Sequence, residues 1–188
     1  MAESLLLSSM AVGGGFADNA VAITSSHFAS SERQYRFPLG YGGQRTPTAQ
    51  WTVTGSGAAL VRSDGHGPRI TGCTVGTVTD LGIKDANNMG AAMAPAACDT
   101  IARNLEDFER DPEDYSRIIT GDLGTVGRRL LLDYLLKAGH DIESRYMDCG
   151  IEIFDGSTQD THAGGSGCGC GTAVFANYFY KQLQEGIL

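Results

Sequence analysis

The chain has 188 residues, of which 41% are hydrophobic and 19% are charged, and this is enough for one domain with a sizeable core. Its net charge of −8 and pI near 4.8 argue against a nucleic-acid-binding protein, which usually carries a basic stripe. The longest apolar runs fall far short of the ~20 residues that a membrane-spanning helix needs, and the first residues lack the basic start of a secretory signal.

Glycine and cysteine usage narrows the class of protein. The 26 glycines suit an α/β protein with many tight turns between strands and helices. The five cysteines are odd in number and scattered along the chain, so we expect reduced thiols rather than a disulfide framework.

The first part of the chain is predicted to form one helix and then three strands. Apolar residues recur through residues 2–12 and stop at three glycines, which predicts a helix. Residues 19–24 have the pattern of a short buried strand, and residues 25–49 form a long polar and aromatic loop. Residues 50–63 and 69–82 are strand-like and flank a turn, so we expect them to pair as a hairpin.

The rest of the chain is predicted to alternate helices and strands, which favours βαβ units and an α/β fold. We expect Pro95 to lie in the first turn of the first of these helices. The predicted helices and strands, in order, are helix 87–108, strand 118–120, helix 128–139, strand 151–154 and helix 172–185.

Two stretches of the sequence share one plan. In residues 4–24 and in residues 172–188, a predicted helix ends at glycine and apolar residues follow it; in the first stretch these residues continue into a strand. This similarity indicates an internal piece of a duplicated α/β fold.

The segment DTHAGGSGCGCG, residues 160–171, raises several possibilities. Cys168 and Cys170 have C-x-C spacing without a second pair nearby, which disfavours a structural zinc site, and a redox C-x-x-C is absent. We therefore expect both cysteines to be small buried residues. His162 precedes them, but the spacing alone does not place it beside a thiol. Two interpretations of Gly164–Gly167 stay open: backbone N–H groups for an anion, or close packing of the next helix on neighbouring backbone.

Other candidate residues lie in the long loop and after the strand at 118–120. Arg33, Arg36 and Arg45 are suited to clamping a carboxylate, or they anchor the loop. His27 in the same loop is more often a hydrogen-bonded surface residue than a catalyst. Asp122 follows a predicted strand at its carboxyl end, where α/β folds bind ligands, although it equally suits the N-cap of the next helix.

Five stretches together resemble the stage V sporulation protein AD family of endospore formers, and they cover nearly the whole chain in order: TSSHFASSERQYRFPLGYGGQRTPTAQWTVTGSGAALV, MGAAMAPAACDTI, IITGDLGTVG, DCGIEIFD and HAGGSGCGCG. The resemblance implies a thiolase-like α-β-α-β-α sandwich with pseudo-duplicated halves. Residues 1–85 would be the end of the first half and residues 86–188 most of the second. The fold would be incomplete here, because members of this family are longer at both ends. The expected internal fragment would lack the cysteine at the first half's nucleophile position.

The resemblance also implies a function, which is to bind dipicolinic acid and support its uptake into the forespore. Gly121 and Asp122 stand where one class of related condensing enzymes has a histidine, and a carboxylate there would repel developing negative charge. The pocket would therefore be used without catalysis. No catalytic residue, resident metal or cofactor is expected, and the dipicolinate would arrive alone or with calcium. The expected ligand-binding residues are His27, Arg33, Asp122, His162, Gly164, Gly165 and Ser166.

Partners, location and alternatives complete these expectations. The implied partners are other stage V sporulation proteins of the same operon, with a homodimer as a further expectation. The implied location is the cytoplasm or forespore, at the periphery of the inner spore membrane. One alternative is an acyltransferase that uses Cys168 or Cys170 as its nucleophile, and another is a structural docking component of a membrane transport complex.

Overall fold

The computed structural model describes residues 1–29 and 45–188. The helices are α1 (Ala2–Gly13), α2 (Met89–Asp107), α3 (Gly124–Lys137), α4 (Cys149–Glu152), α5 (Cys168–Val174) and α6 (Tyr180–Gln184), with a turn of π-helix (Phe175–Phe179) between the last two. The strands are β1 (Asn19–Ser26), β2 (Trp51–Thr52), β3 (Gly55–Arg62), β4 (Ile118–Thr120), β5 (Tyr146–Asp148) and β6 (Gly165–Ser166). A short 3-10 turn (Pro112–Asp114) precedes β4.

The described strands pair two by two. β1 and β3 are antiparallel, with Asn19 opposite Arg62 and Ser26 opposite Gly55. β2 pairs with β6, and β4 pairs with β5, both in parallel. β4, α3 and β5 form a βαβ unit, since parallel neighbours need a crossover connection. The predicted mixed α/β class is therefore confirmed.

The largest apolar cluster joins α2 and α3. Leu131 and Leu135 on α3 are fully buried and pack with Ala94 of α2 and with Ile142. The two helices approach closely where Gly90 faces Gly127, because a Cβ on Gly90 would lie 2.7 Å from the Gly127 nitrogen. This contact fixes the start of α2 against the start of α3.

The β1–β3 ribbon has one covered face and one exposed face. α1 and α5 pack on the inner face, where Ala22 is buried and a Cβ on Gly57 would collide with Thr172. Val21, Ile23 and Leu60 on the outer face are 55–60% exposed. The inner face thus fixes the position of α5 and of Gly164–Gly167 just before it, which we call the glycine segment.

The predicted hairpin of residues 50–63 with residues 69–82 is wrong. The first stretch is divided at Val53 and Thr54, so that β2 pairs with β6 while β3 pairs with β1. Residues 69–82 form no strand. The alternating pattern identified β-forming residues but carried no information on which strand each would meet.

The strand predicted at residues 151–154 is also wrong. The strand there is β5, which ends at Asp148, and the chain then turns directly into α4. Ile153 and Phe154 pack against Gly165, where a Cβ would lie 2.5 Å from the Ile153 Cγ2. A four-residue apolar pattern fits a strand or a helical turn equally well, and tertiary packing decided between them here.

The other helices and strands required smaller corrections. The strand at 118–120 and the helix at 2–12 are confirmed, the latter with one more residue. The last helix begins at Cys168 rather than residue 172, because Gly169 serves close packing and does not mark a loop. Its Cβ would lie 2.4 Å from the Gly55 carbonyl oxygen. Pro95 lies inside α2 rather than in its first turn.

Candidate functional site

A cavity of about 680 Å³ lies at the carboxyl ends of β4 and β6. Its walls come from the starts of α1 and α2, from α5 and from the π-helical turn. Most of the side chains lining it are apolar, including Met89, Met93, Phe175 and Phe179. Crevices at the carboxyl ends of parallel strands are where α/β proteins usually bind small molecules, so this is the candidate site.

Asp122 lines the cavity and faces the glycine segment. Its Oδ2 accepts hydrogen bonds from the Ser166 hydroxyl at 3.0 Å and from the Gly167 N–H at 2.8 Å. The structure thus brings together two of the predicted ligand-binding residues, Asp122 and Ser166. The alternative interpretation of Asp122 as the N-cap of the next helix is wrong, because Leu123 holds that position.

Asp148 carries out the capping instead, and sequence analysis missed it. Its two carboxylate oxygens accept from the N–H groups of Leu123 and Gly124, both at 2.9 Å, and from the Thr120 hydroxyl at 2.6 Å. Asp148 is 1% exposed, and this burial raises the pKa of its carboxyl group above the usual range despite the three donors. Asp148 therefore fixes both ends of the turn that carries Asp122.

Gln50 is a second residue that sequence analysis missed. Its amide nitrogen donates to the carbonyl oxygen of Asp122 at 2.7 Å and to that of Gly165 at 3.0 Å. One buried side chain thus joins the two loops at the polar end of the cavity. No local sequence signal marks it, since its role depends on two segments that are distant in sequence.

The glycines around the site allow three backbone segments to touch. A Cβ on Gly150 would lie 2.5 Å from the Gly165 carbonyl oxygen, and one on Gly164 would lie 2.6 Å from the Gly150 carbonyl oxygen. At Gly124, where φ is +66°, a Cβ would lie 2.3 Å from the Ala163 carbonyl oxygen. Of the two open interpretations of the glycine segment, close packing on neighbouring backbone is thus confirmed.

Two N–H groups of the glycine segment, and that of Ala163 just before it, have partners within the protein. Ala163 donates to Ala49, Gly164 to Thr161, and Gly167 to Asp122. Gly164 and Gly165 adjoin the cavity through Ser166 but do not line it. Their predicted role in holding an anion stays a prediction, and these internal bonds show which donors a ligand would have to compete for.

Both predicted histidines lie away from the cavity. His27 directly follows β1, and its Nδ1 accepts from the Ala29 N–H at 3.1 Å. His162 contacts Thr46 and Asp160 instead of the cavity wall. Arg33 and Arg36 are outside the described residues. Their proposed contact with a ligand stays a prediction.

The cysteines differ in exposure. All five are free thiols. Cys170 is buried as expected, whereas Cys168 is exposed and lines the cavity, which corrects the expectation that both are buried. Cys149 also lines the cavity, and burial raises the pKa of its thiol to about 12, so it is protonated at neutral pH.

Residues 1–29 and 45–188 contain no group of three or more His, Cys, Asp or Glu side chains placed to hold a metal ion. Among the helices in these ranges, none has the length and apolar character needed to cross a bilayer.

The mixed helix and strand architecture, with an apolar cavity at the carboxyl ends of its parallel strands, places the chain in the α/β class of proteins. The chain belongs to the stage V sporulation protein AD family, whose model matches residues 1–188. It is 47% identical over 186 residues to the Stage V sporulation protein AD of Bacillus subtilis (strain 168), covering 99% of this chain and 55% of that protein. The chain thus spans about half the length of the curated relative that it matches.

Proposed function

We propose that this chain forms the ligand-binding part of a sporulation protein that binds dipicolinic acid and supports its uptake into the forespore. The fold of the whole protein would be the thiolase-like α-β-α-β-α sandwich, with its pocket used without catalysis. The observation that supports this most directly is the cavity, whose apolar walls end at the polar pair of Asp122 and Ser166. Its volume of about 680 Å³ falls within the range that suits a small planar ligand.

The charges at the cavity determine the form in which the ligand binds. Glu3 and Asp122 have the charged side chains among the described residues that line it, and none of those lining residues is a lysine, arginine or histidine. A free dicarboxylate would be repelled by these two groups. The calcium chelate of dipicolinate has no net charge and leaves calcium positions open for further oxygen ligands, such as the Asp122 carboxylate. In this proposal the ligand therefore binds as its calcium chelate.

Isothermal titration calorimetry near neutral pH tests this form of the ligand. We expect binding heat from dipicolinate with calcium chloride, and much weaker heat from dipicolinate alone or calcium alone. Asp122→Asn should lower the affinity at least ~10-fold, since that corresponds to about 1.4 kcal/mol of lost ion contact. The asparagine keeps an acceptor oxygen for Ser166 and Gly167, so the loop should stay in place.

The matched control is Asp18→Asn, which removes an exposed carboxylate outside the cavity and should leave the affinity unchanged. Equal binding with and without calcium would contradict the chelate. An absence of heat under every condition, from a chain whose unfolding is cooperative, would contradict dipicolinate binding itself.

The proposal extends to partners and location. Other stage V sporulation proteins would bring this protein to the periphery of the inner spore membrane, and a second copy would form a homodimer. A purely structural docking component is the alternative. Asp122→Asn distinguishes the two. Assembly with those proteins should stay intact in either case, whereas uptake should fall only if it depends on ligand binding by this chain.

An acyltransferase is the second candidate, and the position of Cys168 favours it. Cys168 is exposed and lines the cavity, whereas Cys170 is buried. We expect iodoacetamide to label Cys168 at least ~10-fold faster than Cys170, since access controls thiol reactivity. Peptide mass spectrometry gives the ratio, and Cys168→Ser is the control. Incubation with an acyl-CoA then separates the candidates: a thioester on Cys168 would support acyl transfer, and its absence from a readily alkylated thiol would leave the binding function.

A further inference from the structure

A single turn of π-helix, Phe175–Phe179, joins α5 to α6, and both of its phenylalanines line the cavity. Such turns are rare and often lie at functional sites. The turn closes where the Tyr180 N–H donates to the Phe175 carbonyl oxygen, five residues earlier in the chain. The extra residue in the turn changes which side chains share one side of the helix.

Each phenylalanine of this turn contacts a tyrosine that does not line the cavity. The centres of the Phe175 and Tyr180 rings are 6.1 Å apart at a tilt of 55°, and the Tyr178 and Phe179 rings meet edge to face at 5.1 Å. In a regular α-helix, Phe175 and Tyr180 would point about 140° apart, so the π turn is what allows their contact. Tilted and edge-to-face ring pairs are favourable, and the tyrosines thus hold both phenylalanine rings in place at the cavity.

Two methionines of α2 form another wall of the cavity. Met89 and Met93 are one helical turn apart and both line it. Met93 packs against the α2–α3 cluster, whereas Phe175 and Phe179 pack in a separate apolar cluster around Cys170. The cavity therefore has thioethers on one wall and aromatic rings on another. Both kinds of side chain make favourable contacts with an aromatic ring beyond those of ordinary apolar packing.

We infer that these four side chains (Met89, Met93, Phe175 and Phe179), which we call the aromatic slot, select ligands that carry a planar aromatic ring. The inference rests on the proposed function, because the pyridine ring of dipicolinate is the group that the slot would hold while its calcium chelate reaches Asp122. A saturated ring of similar size would fill the same space but would lose the ring–ring and sulfur–ring contacts. The slot thus supplies a preference that the polar end of the cavity does not.

Two uncharged probes test the aromatic slot without dipicolinate or calcium. Benzamide has an aromatic ring, and cyclohexanecarboxamide has the same amide on a saturated ring of similar size. Saturation-transfer NMR titrations of the 188-residue chain give a Kd for each probe. Benzamide should bind about 3-fold or more tightly than cyclohexanecarboxamide, and Phe175→Leu should remove most of this preference, since leucine keeps an apolar side chain but has no ring.

Phe16→Leu is the matched control, because Phe16 is 87% exposed and does not line the cavity. It should keep the wild-type preference. Equal affinities of the two probes for the wild type, or an unchanged preference in Phe175→Leu, would overturn the aromatic slot. If Phe175→Leu fails to unfold cooperatively, Met89→Ala replaces it, since Met89 is 38% exposed, and an unchanged preference there would overturn the slot as well.

A competition experiment separates the aromatic slot from the proposed function. An excess of dipicolinate with calcium chloride should displace benzamide from the wild type. Benzamide that shows the expected preference but is not displaced would support the slot and contradict dipicolinate as the ligand. Calorimetric binding of calcium dipicolinate together with equal affinities of the two probes would overturn the slot and support the proposed function.

Discussion

Asp148→Ala should lower the free energy of unfolding by about 3 kcal/mol, because it removes the acceptor from three donors at once. The N–H groups of Leu123 and Gly124 and the Thr120 hydroxyl all point at this carboxylate. The two N–H groups lie in buried residues, where an unsatisfied donor is costly. Urea denaturation followed by circular dichroism gives the free energy and shows whether the m-value is unchanged.

The same variant has a pH signature. Burial raises the pKa of Asp148, so the folded chain binds this proton more tightly than the unfolded chain. The contribution of Asp148 to stability is therefore largest at low pH and falls as the pH rises through the raised pKa. The stability difference between the wild type and Asp148→Ala should be larger near about pH 4, close to the ordinary pKa of 3.8, than at neutral pH.

Asp155→Ala provides a matched control for this experiment. Asp155 also accepts hydrogen bonds from a turn, through Ser157 and Thr158, but it is exposed to solvent. Water replaces the lost partner there, so the expected loss is much smaller than for Asp148→Ala. An equal loss of unfolding free energy in both variants would show that the burial of Asp148 does not add to the stability of the turn that carries Asp122.

The sequence predicted most of the helices and the strands β1 and β4 because their signals are local. Glycine stops and apolar periodicity located α1, α2 and α3, and the strand at 118–120 was predicted residue for residue. Strand pairing could not be predicted in the same way. Residues 50–63 look like one strand, yet two different sheets use them. Which partner a strand meets depends on packing between distant segments, and a single sequence does not encode that in any local pattern.

The candidate site was predicted only in part, because some of its residues are marked by local signals and others depend on contacts between distant segments. Asp122 and Ser166 were identified from their positions after a strand and within the glycine segment, and the structure places them in contact. Asp148 follows the same rule of an acidic residue at the carboxyl end of a parallel strand. It was missed because the strand was placed at 151–154 instead of at β5. Gln50 had no local signal, since its two acceptors belong to segments far away in the sequence.

Gly150→Ala should lower the free energy of unfolding by about 2–3 kcal/mol, since overpacking a site that cannot relax costs that much. The added Cβ would lie 2.5 Å from the Gly165 carbonyl oxygen, 3.0 Å from the Asp148 Oδ1 and 3.2 Å from the Asp122 Cα. Two of these neighbours are backbone atoms, and the third belongs to the buried cap. None can move without disturbing the glycine segment or the turn that carries Asp122. The strain therefore cannot be relieved without a further loss of stability.

Gly156→Ala separates this effect from a general cost of losing glycine. Gly156 is exposed, and a Cβ there would have no neighbour within 4 Å, so the change should stay within about 0.5 kcal/mol of the wild type. Urea denaturation of both variants gives the comparison directly. A Gly150→Ala variant as stable as Gly156→Ala would mean that the three segments can separate without cost. The positions of Asp122 and Ser166 would then depend on the hydrogen bonds of Asp148 and Gln50 alone, rather than on backbone segments held in contact by glycine.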